Sequence, residues 1–261
     1  INRVDNKEEW IVSGRGELHL SILIENLRRE GFEFQVSRPR VILKEIDGVI
    51  NEPYEYVQVD VPDEYIGSAI EMFGNRRGNL EGMNSKDGQT RLIYTIPSKG
   101  LIGFMTDFLT ATHGYGIINH TFLEYRPVQP DVFMGRKLGV LVSINQGMAT
   151  TYACGGVEDR GELLIEPGIM VYEGMIVGIC NREEDLAVNI TREKQMTNQR
   201  SATKDSTIVL KKPRVFSLEN YLSFIDEDEL VEVTPNSIRL RKMILDTVER
   251  KKYDSTKLKK H

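Results

Sequence analysis

Apolar residues change their spacing twice within the first forty positions of the chain. Residues 10–12 (Trp-Ile-Val) form a short apolar run that is typical of a strand. The apolar residues that follow have the spacing of one helical face and lie at Leu20, Leu23, Ile24 and Leu27. Gly31 then ends the helix, and residues 32–36 alternate as a strand does. The pattern predicts a strand–helix–strand unit.

A longer form of this pattern occupies residues 50–128. Residues 54–61 alternate as a strand with one apolar face, and the helix after them has its inner face at Ile66, Ala69, Ile70 and Phe73. Two strands follow, joined by a hairpin-turn signal at Asp87-Gly88, and then a helix over about residues 101–112 and a last strand. The order βαββαβ predicts a complete ferredoxin-like module. Residues 1–49 are then a partial copy of this module, which lacks its opening strand and helix.

The pattern changes after Pro130. Short apolar strands at residues 138–143, 161–165 and 175–179 alternate with glycine-rich turns, which predicts a β-barrel-like C-terminal domain over residues 129–261, either a small barrel or a curled sheet. Ser217 is placed to cap a short helix that ends at Phe224, and Thr234-Pro235 has the order typical of another helix start, with Leu240, Ile244 and Val248 facing inward. The predicted fold class is therefore α+β.

Composition excludes several classes of protein. The 261 residues are 40% hydrophobic and 28% charged, as in ordinary globular proteins, and no apolar run approaches the roughly 20 residues that span a bilayer. No signal peptide opens the chain, so we expect a cytoplasmic protein that does not enter a membrane. Because the first residue is Ile1 and not Met, we also expect a fragment of a longer protein. Cys154 and Cys180 are isolated in the sequence; a disulfide between them is the alternative to two buried thiols, which a reducing cytosol favours.

Charge is distributed unevenly along the chain. The net charge is −5, yet residues 189–214 carry seven Lys/Arg against two acidic residues, and residues 239–261 carry nine against three. An acidic body with two basic segments is suited to a local contact with a polyanion. For the C-terminal segment taken alone, a solvated surface is the favoured interpretation.

Residues 189–206 form a polar, basic stretch without apolar periodicity, which predicts a long loop. The loop combines cations with amide and hydroxyl groups, and its candidate residues are Lys194, Asn198, Arg200 and Lys204. Phosphates are bound by Lys and Arg, and ribose 2′-hydroxyls by amides and hydroxyls, so this mixture suits an RNA backbone. The loop has no aromatic residue, and base-specific recognition is not expected. A disordered linker is the alternative.

Several motifs carry a resemblance to a known family. They are residues 13–20 (Ser-Gly-Arg-Gly-Glu-Leu-His-Leu), 147–150, 172–178, 194–200 (Lys-Gln-Met-Thr-Asn-Gln-Arg) and 228–235. Together they resemble the bacterial TypA/BipA family of translational GTPases, over essentially the whole chain. Elongation factor G and LepA share the split modules but not this C-terminal domain. Gln199 stands where members of the family often have Met.

The resemblance implies a function on the ribosome. It implies that residues 1–49 and 50–128 correspond to the family's domains III and V, which dock at the factor site and meet rRNA and ribosomal proteins. It further implies that the basic loop reaches the acceptor end of an A-site tRNA through Lys194, Thr197, Asn198 and Arg200, and that the parent protein supports ribosome assembly and stress adaptation. Lys211, Lys212 and Arg214 continue the positive charge toward nearby rRNA.

The sequence contains no phosphate loop of the form G-x-x-x-x-G-K-[ST], so we expect no GTP hydrolysis by this chain. GTP and magnesium are expected to belong to a separate G domain of the parent. His113, His120 and Asp107 are a weak catalytic or metal-binding combination, and no catalytic residue and no metal are predicted. The alternative function is a small-molecule-sensing regulatory module, since split βαβ units also build ligand-binding domains.

Overall fold

The structure, a computed structural model, describes residues 1–3, 8–129, 136–194 and 209–258. These residues contain sixteen β-strands and six α-helices, so the predicted α+β class is confirmed. Within this part of the chain, no helix has the length and the apolar character needed to cross a membrane.

The elements are numbered in chain order. Up to residue 129 they are β1 (Asn2–Arg3), β2 (Trp10–Ile11), α1 (Glu17–Arg29), β3 (Phe34–Ser37), β4 (Lys44–Ile46), β5 (Val49–Pro62), α2 (Ile66–Asn75), β6 (Asn79–Lys86), β7 (Gln89–Pro97), α3 (Phe104–Ala111) and β8 (Ile117–Pro127). From residue 136 they are β9 (Val140–Ser143), β10 (Gly147–Met148), α4 (Thr151–Glu158), β11 (Gly161–Leu163), β12 (Met170–Val171), β13 (Met175–Cys180), β14 (Leu186–Val188), α5 (Leu218–Phe224), β15 (Glu229–Val233), β16 (Ile238–Lys242) and α6 (Thr247–Leu258).

The chain divides into two compact units. The first consists of residues 1–20 and 39–135, and the second of residues 21–38 and 136–261. This grouping differs from the predicted boundaries in residues 1–49, which do not form a unit of their own. Residues 21–38 belong to the second unit because β3 pairs with β15 in antiparallel register, from Phe34 opposite Val233 to Ser37 opposite Leu230.

The first unit is built on a five-stranded antiparallel sheet. Its strands lie in the order β8-β5-β7-β6, and β4 pairs with the start of β5. Along the chain, the elements from β5 to β8 run strand, helix, strand, strand, helix, strand. Val57, Val59 and Val61 alternate on one face of β5 and are fully buried, as the spacing predicts. On that face the ring of Phe73 lies 4.4 Å from the ring centroids of both Tyr94 and Phe104.

Residues 13–20, the first of the motifs that resemble the family, contribute a stabilising contact to the first unit. Both carboxylate oxygens of Glu17 accept a hydrogen bond from the backbone N–H of Gly103, each at 3.0 Å. Gly103 is the N-cap of α3 and has a φ of 69°, so its conformation favours glycine. An anionic side chain at a helix N-terminus is favourable because it faces the positive end of the helix dipole. Glu17 therefore stabilises the start of α3.

The predicted hairpin turn between β6 and β7 is present. Asp87 and Gly88 have φ values of 54° and 78°, and Lys86 pairs with Gln89 across the turn. Positive φ at both central residues is the geometry of a two-residue type I′ hairpin turn. A Cβ atom at Gly88 would meet nothing within 4 Å, so a substitution there alters backbone strain and no packing contact.

We expect Gly88→Ala to lower the free energy of unfolding by about 1 kcal/mol, because alanine is disfavoured at positive φ. Gly67→Ala in α2 is the matched control: its Cβ also enters open space, but its φ is not positive. The control should leave stability unchanged or raise it slightly. Urea denaturation followed by circular dichroism measures both, and equal midpoints would contradict the turn geometry.

The second unit contains an open sheet and no closed barrel among its described residues, so the barrel-like expectation is not confirmed. Six strands lie in the order β14-β9-β13-β16-β15-β3, β11 also pairs with β13, and β10 and β12 form a separate ribbon. Both faces of the sheet are covered. Val140 and Val142 pack in one apolar cluster with Leu222 of α5, whereas Leu141 packs in another with Val157 of α4. Continuous apolar runs such as residues 140–142 are typical of strands buried on both sides.

The predicted helix start at Thr234 is wrong. Thr234 and Ser237 form a tight turn, in which the Thr234 N–H donates to the Ser237 carbonyl at 2.9 Å and the Ser237 N–H donates to Thr234 Oγ1 at 3.0 Å. The chain then forms β16, in which Leu240 is buried against β15, and the helix begins only at Thr247. In contrast, Ser217 caps α5 as predicted, accepting a hydrogen bond from the Asn220 N–H.

A buried ion network lies at one end of this sheet. Glu229 is fully buried and accepts two hydrogen bonds from Arg136, both at 2.9 Å. Lys242 Nζ lies 2.9 Å from Glu229, 2.8 Å from Asp228 and 2.5 Å from Asp185. Burial alone would raise the pKa of Glu229, but the two cations outweigh it and lower that pKa to about 2.

Glu229→Gln should lower the free energy of unfolding at neutral pH by about 3 kcal/mol or more, because it leaves buried cations without their compensating charge. The lowered pKa sets the pH dependence: this stabilisation is complete above the ordinary carboxyl value of 4.5 and is lost as the pH falls toward 2. Urea denaturation at several pH values measures it.

The control for this prediction is Glu162→Gln, which removes an exposed ion pair with Arg214, 3.5 Å away, from the same unit. Exposed pairs contribute little, so the control should change stability by less than about 1 kcal/mol. A Glu229 variant as stable as this control would show that the network is not the main stabilising charge contact.

Candidate nucleic-acid interface

The predicted RNA-binding segment starts beside the N-terminus of helix α4. Thr150 caps this helix: its Oγ1 accepts a hydrogen bond from the Ala153 N–H at 3.1 Å. The same hydroxyl donates to the Arg192 carbonyl, and the Thr150 N–H donates to the Ile190 carbonyl at 3.1 Å. Thr150 thereby holds residues 190–192 against the start of α4, and the chain continues to the exposed Lys194.

The returning segment is held at the other end of α4. The Lys211 N–H donates to Glu158 Oε1 at 2.7 Å, and Glu158 is the last residue of the helix. The Arg214 N–H donates to the Leu163 carbonyl of β11 at 2.9 Å. Because these contacts use the backbone of the returning segment, the side chains of Lys211, Lys212 and Arg214 remain exposed.

Helix α4 and its cap thus make hydrogen bonds to the chain on both sides of the predicted RNA-binding segment. The eight residues of α4 between these two sets of contacts span about 12 Å. Lys194 lies at one end, and Lys211, Lys212 and Arg214 lie at the other. The remaining predicted residues, Thr197, Asn198, Arg200 and Lys204, fall outside the described residues.

Arg214 has weak intramolecular partners. Its guanidinium lies 3.5 Å from the Glu162 carboxylate, with both side chains about half exposed, and 5.3 Å from the ring centroid of Phe216. An exposed pair of this kind is easily exchanged for another anion. Arg214 is therefore available to a phosphate, whereas its backbone is held by β11.

The weak catalytic combination is not brought together. Asp107 pairs with Arg76 at 3.4 Å, the His113 ring lies 5.8 Å from the Tyr65 ring, and His120 pairs with Glu55. The Glu55 carboxylate raises the pKa of His120. Among the residues that the structure describes, no three His, Cys, Asp or Glu side chains form a group that would hold a metal ion.

The two cysteines lie in the apolar cluster below α4. Cys154 and Cys180 are both buried free thiols. Burial, and then the nearby Glu158 charge, raises the pKa of the Cys154 thiol. It is therefore held in the protonated form, which is a poor nucleophile.

Two cavities of the second unit give little support to small-molecule sensing. One of about 340 Å³ is lined by Asp159, Arg160, Cys180, Asn181, Arg182 and Leu186. Another of about 350 Å³ is lined by Ser21, Ile22, Glu25, Asn26, Arg29, Leu218 and Glu219. Small-molecule sites combine apolar and aromatic side chains with a few polar groups, whereas each of these linings includes three charged residues and no aromatic residue.

Comparison with known proteins identifies the domains that contain this site. Residues 138–247 match the model of the TypA/BipA C-terminal domain, and residues 49–135 match the model of the elongation factor G C-terminus. The chain belongs to the TypA/BipA family. The resemblance stated from the motifs is thereby confirmed, and α4 with both flanks of the basic segment lies inside the C-terminal domain of the family.

Relatives from several bacteria match nearly the whole chain. A protein of Bacillus subtilis named large ribosomal subunit assembly factor BipA is 59% identical over 94% of the chain. Proteins of the same name from Synechocystis and Haemophilus influenzae are 50% and 49% identical over 92% and 98% of it. The chain spans about 40% of the length of these relatives.

Sequence reasoning missed the residues that hold the segment in place. Thr150 is the last residue of the motif at residues 147–150. Its hydrogen bond to the Arg192 carbonyl joins residues that are 42 positions apart, so only the structure reveals it. Gly147 has a φ of 151°, and a Cβ there would lie 3.3 Å from Thr191. Gly147 and Thr150 therefore both contact the start of the basic segment: Gly147 leaves room for Thr191, and Thr150 donates a hydrogen bond to Arg192.

Thr150→Ala should lower the free energy of unfolding by about 1 kcal/mol, because it removes a helix N-cap and the hydrogen bond to the Arg192 carbonyl. Thr151→Ala is the control, since this neighbouring residue is exposed and is the first residue of α4. Thermal or urea denaturation measures both variants. Equal stabilities would contradict the capping function of Thr150.

Proposed function

We propose that this chain is the ribosome- and RNA-binding portion of a translational GTPase that acts in assembly of the large ribosomal subunit. In this proposal the chain docks at the factor site and contacts A-site tRNA and rRNA. The supporting observation is the pair of cationic flanks held at the two ends of α4, inside the C-terminal domain of a family whose members are named ribosomal assembly factors.

The proposed contacts are divided between tRNA and rRNA. Lys194, Thr197, Asn198, Arg200 and Lys204 meet the tRNA backbone, through charges on phosphates and polar groups on ribose. Lys211, Lys212 and Arg214 meet neighbouring rRNA. Because α4 fixes the two flanks, their cations lie at a set distance from each other before RNA binds, which reduces the entropy lost on binding.

The chemical step belongs elsewhere in the parent protein. We propose that GTP hydrolysis, with bound GTP and magnesium, takes place in a G domain outside these 261 residues, and that this chain is not itself an enzyme. Action on the ribosome places the parent in the cytoplasm, where it supports adaptation to stress.

Lys194→Ala combined with Arg200→Ala should weaken binding to ribosomes and leave the melting temperature unchanged. Each lost phosphate contact should lower the slope of log affinity against log salt by roughly one unit. The measurement is co-sedimentation of the full-length parent with ribosomes across a salt series, in the presence of a non-hydrolysable GTP analogue.

Lys137→Ala combined with Arg182→Ala is the matched control, because it removes one exposed Lys and one exposed Arg from the same unit. The control should pellet like the unmodified protein. Equal pelleting of both double variants at every salt concentration would remove the basic segment from the binding site, and a lowered melting temperature with equal pelleting would assign it a structural function.

A further inference from the structure

Most of the described side chains of helix α6 are exposed, and only Thr247 and Arg250 are partly buried. None of its described side chains is buried; Val248 is 60% exposed and Tyr253 53%. These two residues are five positions apart, so they point in directions about 140° apart and form no common apolar face. A helix of 12 residues whose described side chains form no apolar face is marginal in water unless something else stabilises it.

The stabilising contacts are concentrated at the start of the helix. Glu173 Oε1 accepts hydrogen bonds from both the N–H and the hydroxyl of Thr247, each at 2.8 Å. Asp246 Oδ1 accepts from the N–H groups of Val248 and Glu249, also at 2.8 Å. These contacts satisfy backbone donors that a helix N-terminus leaves free.

Arg250 fastens the first turn to the segment before it. Its Nη1 donates to the carbonyls of Ile244 and Leu245, and its Nη2 donates to Thr247 Oγ1 at 3.0 Å. Gly174, with a φ of 86°, lets the backbone of Leu245 approach so closely that a Cβ at position 174 would lie 2.7 Å from the Leu245 Cα. The direction of the helix is therefore fixed although its sides touch little.

We propose that α6 is a second RNA-contacting element, which binds the phosphate backbone through Lys251 and Lys252. Both side chains are exposed, and the hydrogen bonds of the first turn anchor the helix backbone that carries them. The chain as a whole carries −5, so a polyanion is attracted only where cations are concentrated. A membrane-surface helix would need cations and apolar residues on opposite faces, which α6 lacks. The proposal extends the proposed function, since it adds an RNA contact apart from the α4 segment.

The test is RNA binding by the 261-residue chain, measured by fluorescence anisotropy with a labelled RNA duplex of about 20 base pairs. Affinity is measured between about 50 and 250 mM KCl. Lys251→Ala combined with Lys252→Ala should weaken binding and lower the salt slope by about 1.4 to 1.8, the value for two phosphate contacts. Alanine favours helix, so α6 should persist in this variant.

Lys86→Ala combined with Lys137→Ala removes the same charge from exposed positions outside α6 and should leave the slope unchanged. An unchanged slope in the α6 variant, or an equal loss in this control, would overturn the proposal. So would binding to phosphatidylserine vesicles that depends on Lys251 and Lys252 when RNA binding does not.

The outcome is separable from that of the proposed function. If the α6 variant binds RNA like the unmodified chain and the Lys194/Arg200 variant loses ribosome binding, only the proposal for α6 fails. If the α6 variant loses RNA binding and the Lys194/Arg200 variant still binds ribosomes like the unmodified protein, the proposal for α6 stands and the proposed function of the basic segment fails. Glu173→Ala adds a test of the anchor: binding should weaken although every cation remains, and unchanged binding would overturn the requirement for a fixed helix.

Discussion

The second unit depends on one buried carboxylate. Glu229 opens β15 and lies directly opposite Lys242, the last residue of β16. Arg136, which reaches the same carboxylate, precedes β9, and Asp185, which reaches Lys242, precedes β14. Ends of four strands therefore meet at one charge cluster. A slip of β16 by one residue would move Lys242 to the opposite face of the sheet and leave Glu229 buried without it, so the network also fixes the strand register.

The candidate site is positioned by helix α4, which packs on the same sheet that holds the ion network around Glu229. Leu163 of β11 and Val177 of β13 share an apolar cluster with Cys154 and Val157, which lie on the inner face of α4. Because the core holds α4, the hydrogen bonds at its two ends place the flanks of the basic segment at defined points. Backbone groups of the segment make most of these contacts, so the side chains of Lys194, Lys211, Lys212 and Arg214 stay exposed.

Local rules predicted what local interactions decide. The alternation of Val57, Val59 and Val61, the Asp87-Gly88 turn and the Ser217 cap each depend on residues within a few positions, and all three are present. The failures concern long-range pairing. Residues 234–242 carry a helix-start signal, but register with β15 makes them a strand. The Thr150 hydroxyl finds its partner 42 residues away, which no local pattern contains.

Arginine and lysine divide the work of this unit in a way that suits phosphate binding. Arg136 and Arg250 use the forked geometry of the guanidinium inside the protein, on Glu229 and on the carbonyls before α6. Lys242 is buried in the network, but the lysines on the returning segment and on α6 are exposed. A lysine ammonium acts as a point charge with rotatable donors, which fits phosphate oxygens from many directions and carries no base preference. These exposed lysines are thus of the kind that binds an RNA backbone without reading its sequence, and Arg214 adds an exposed guanidinium to the returning segment.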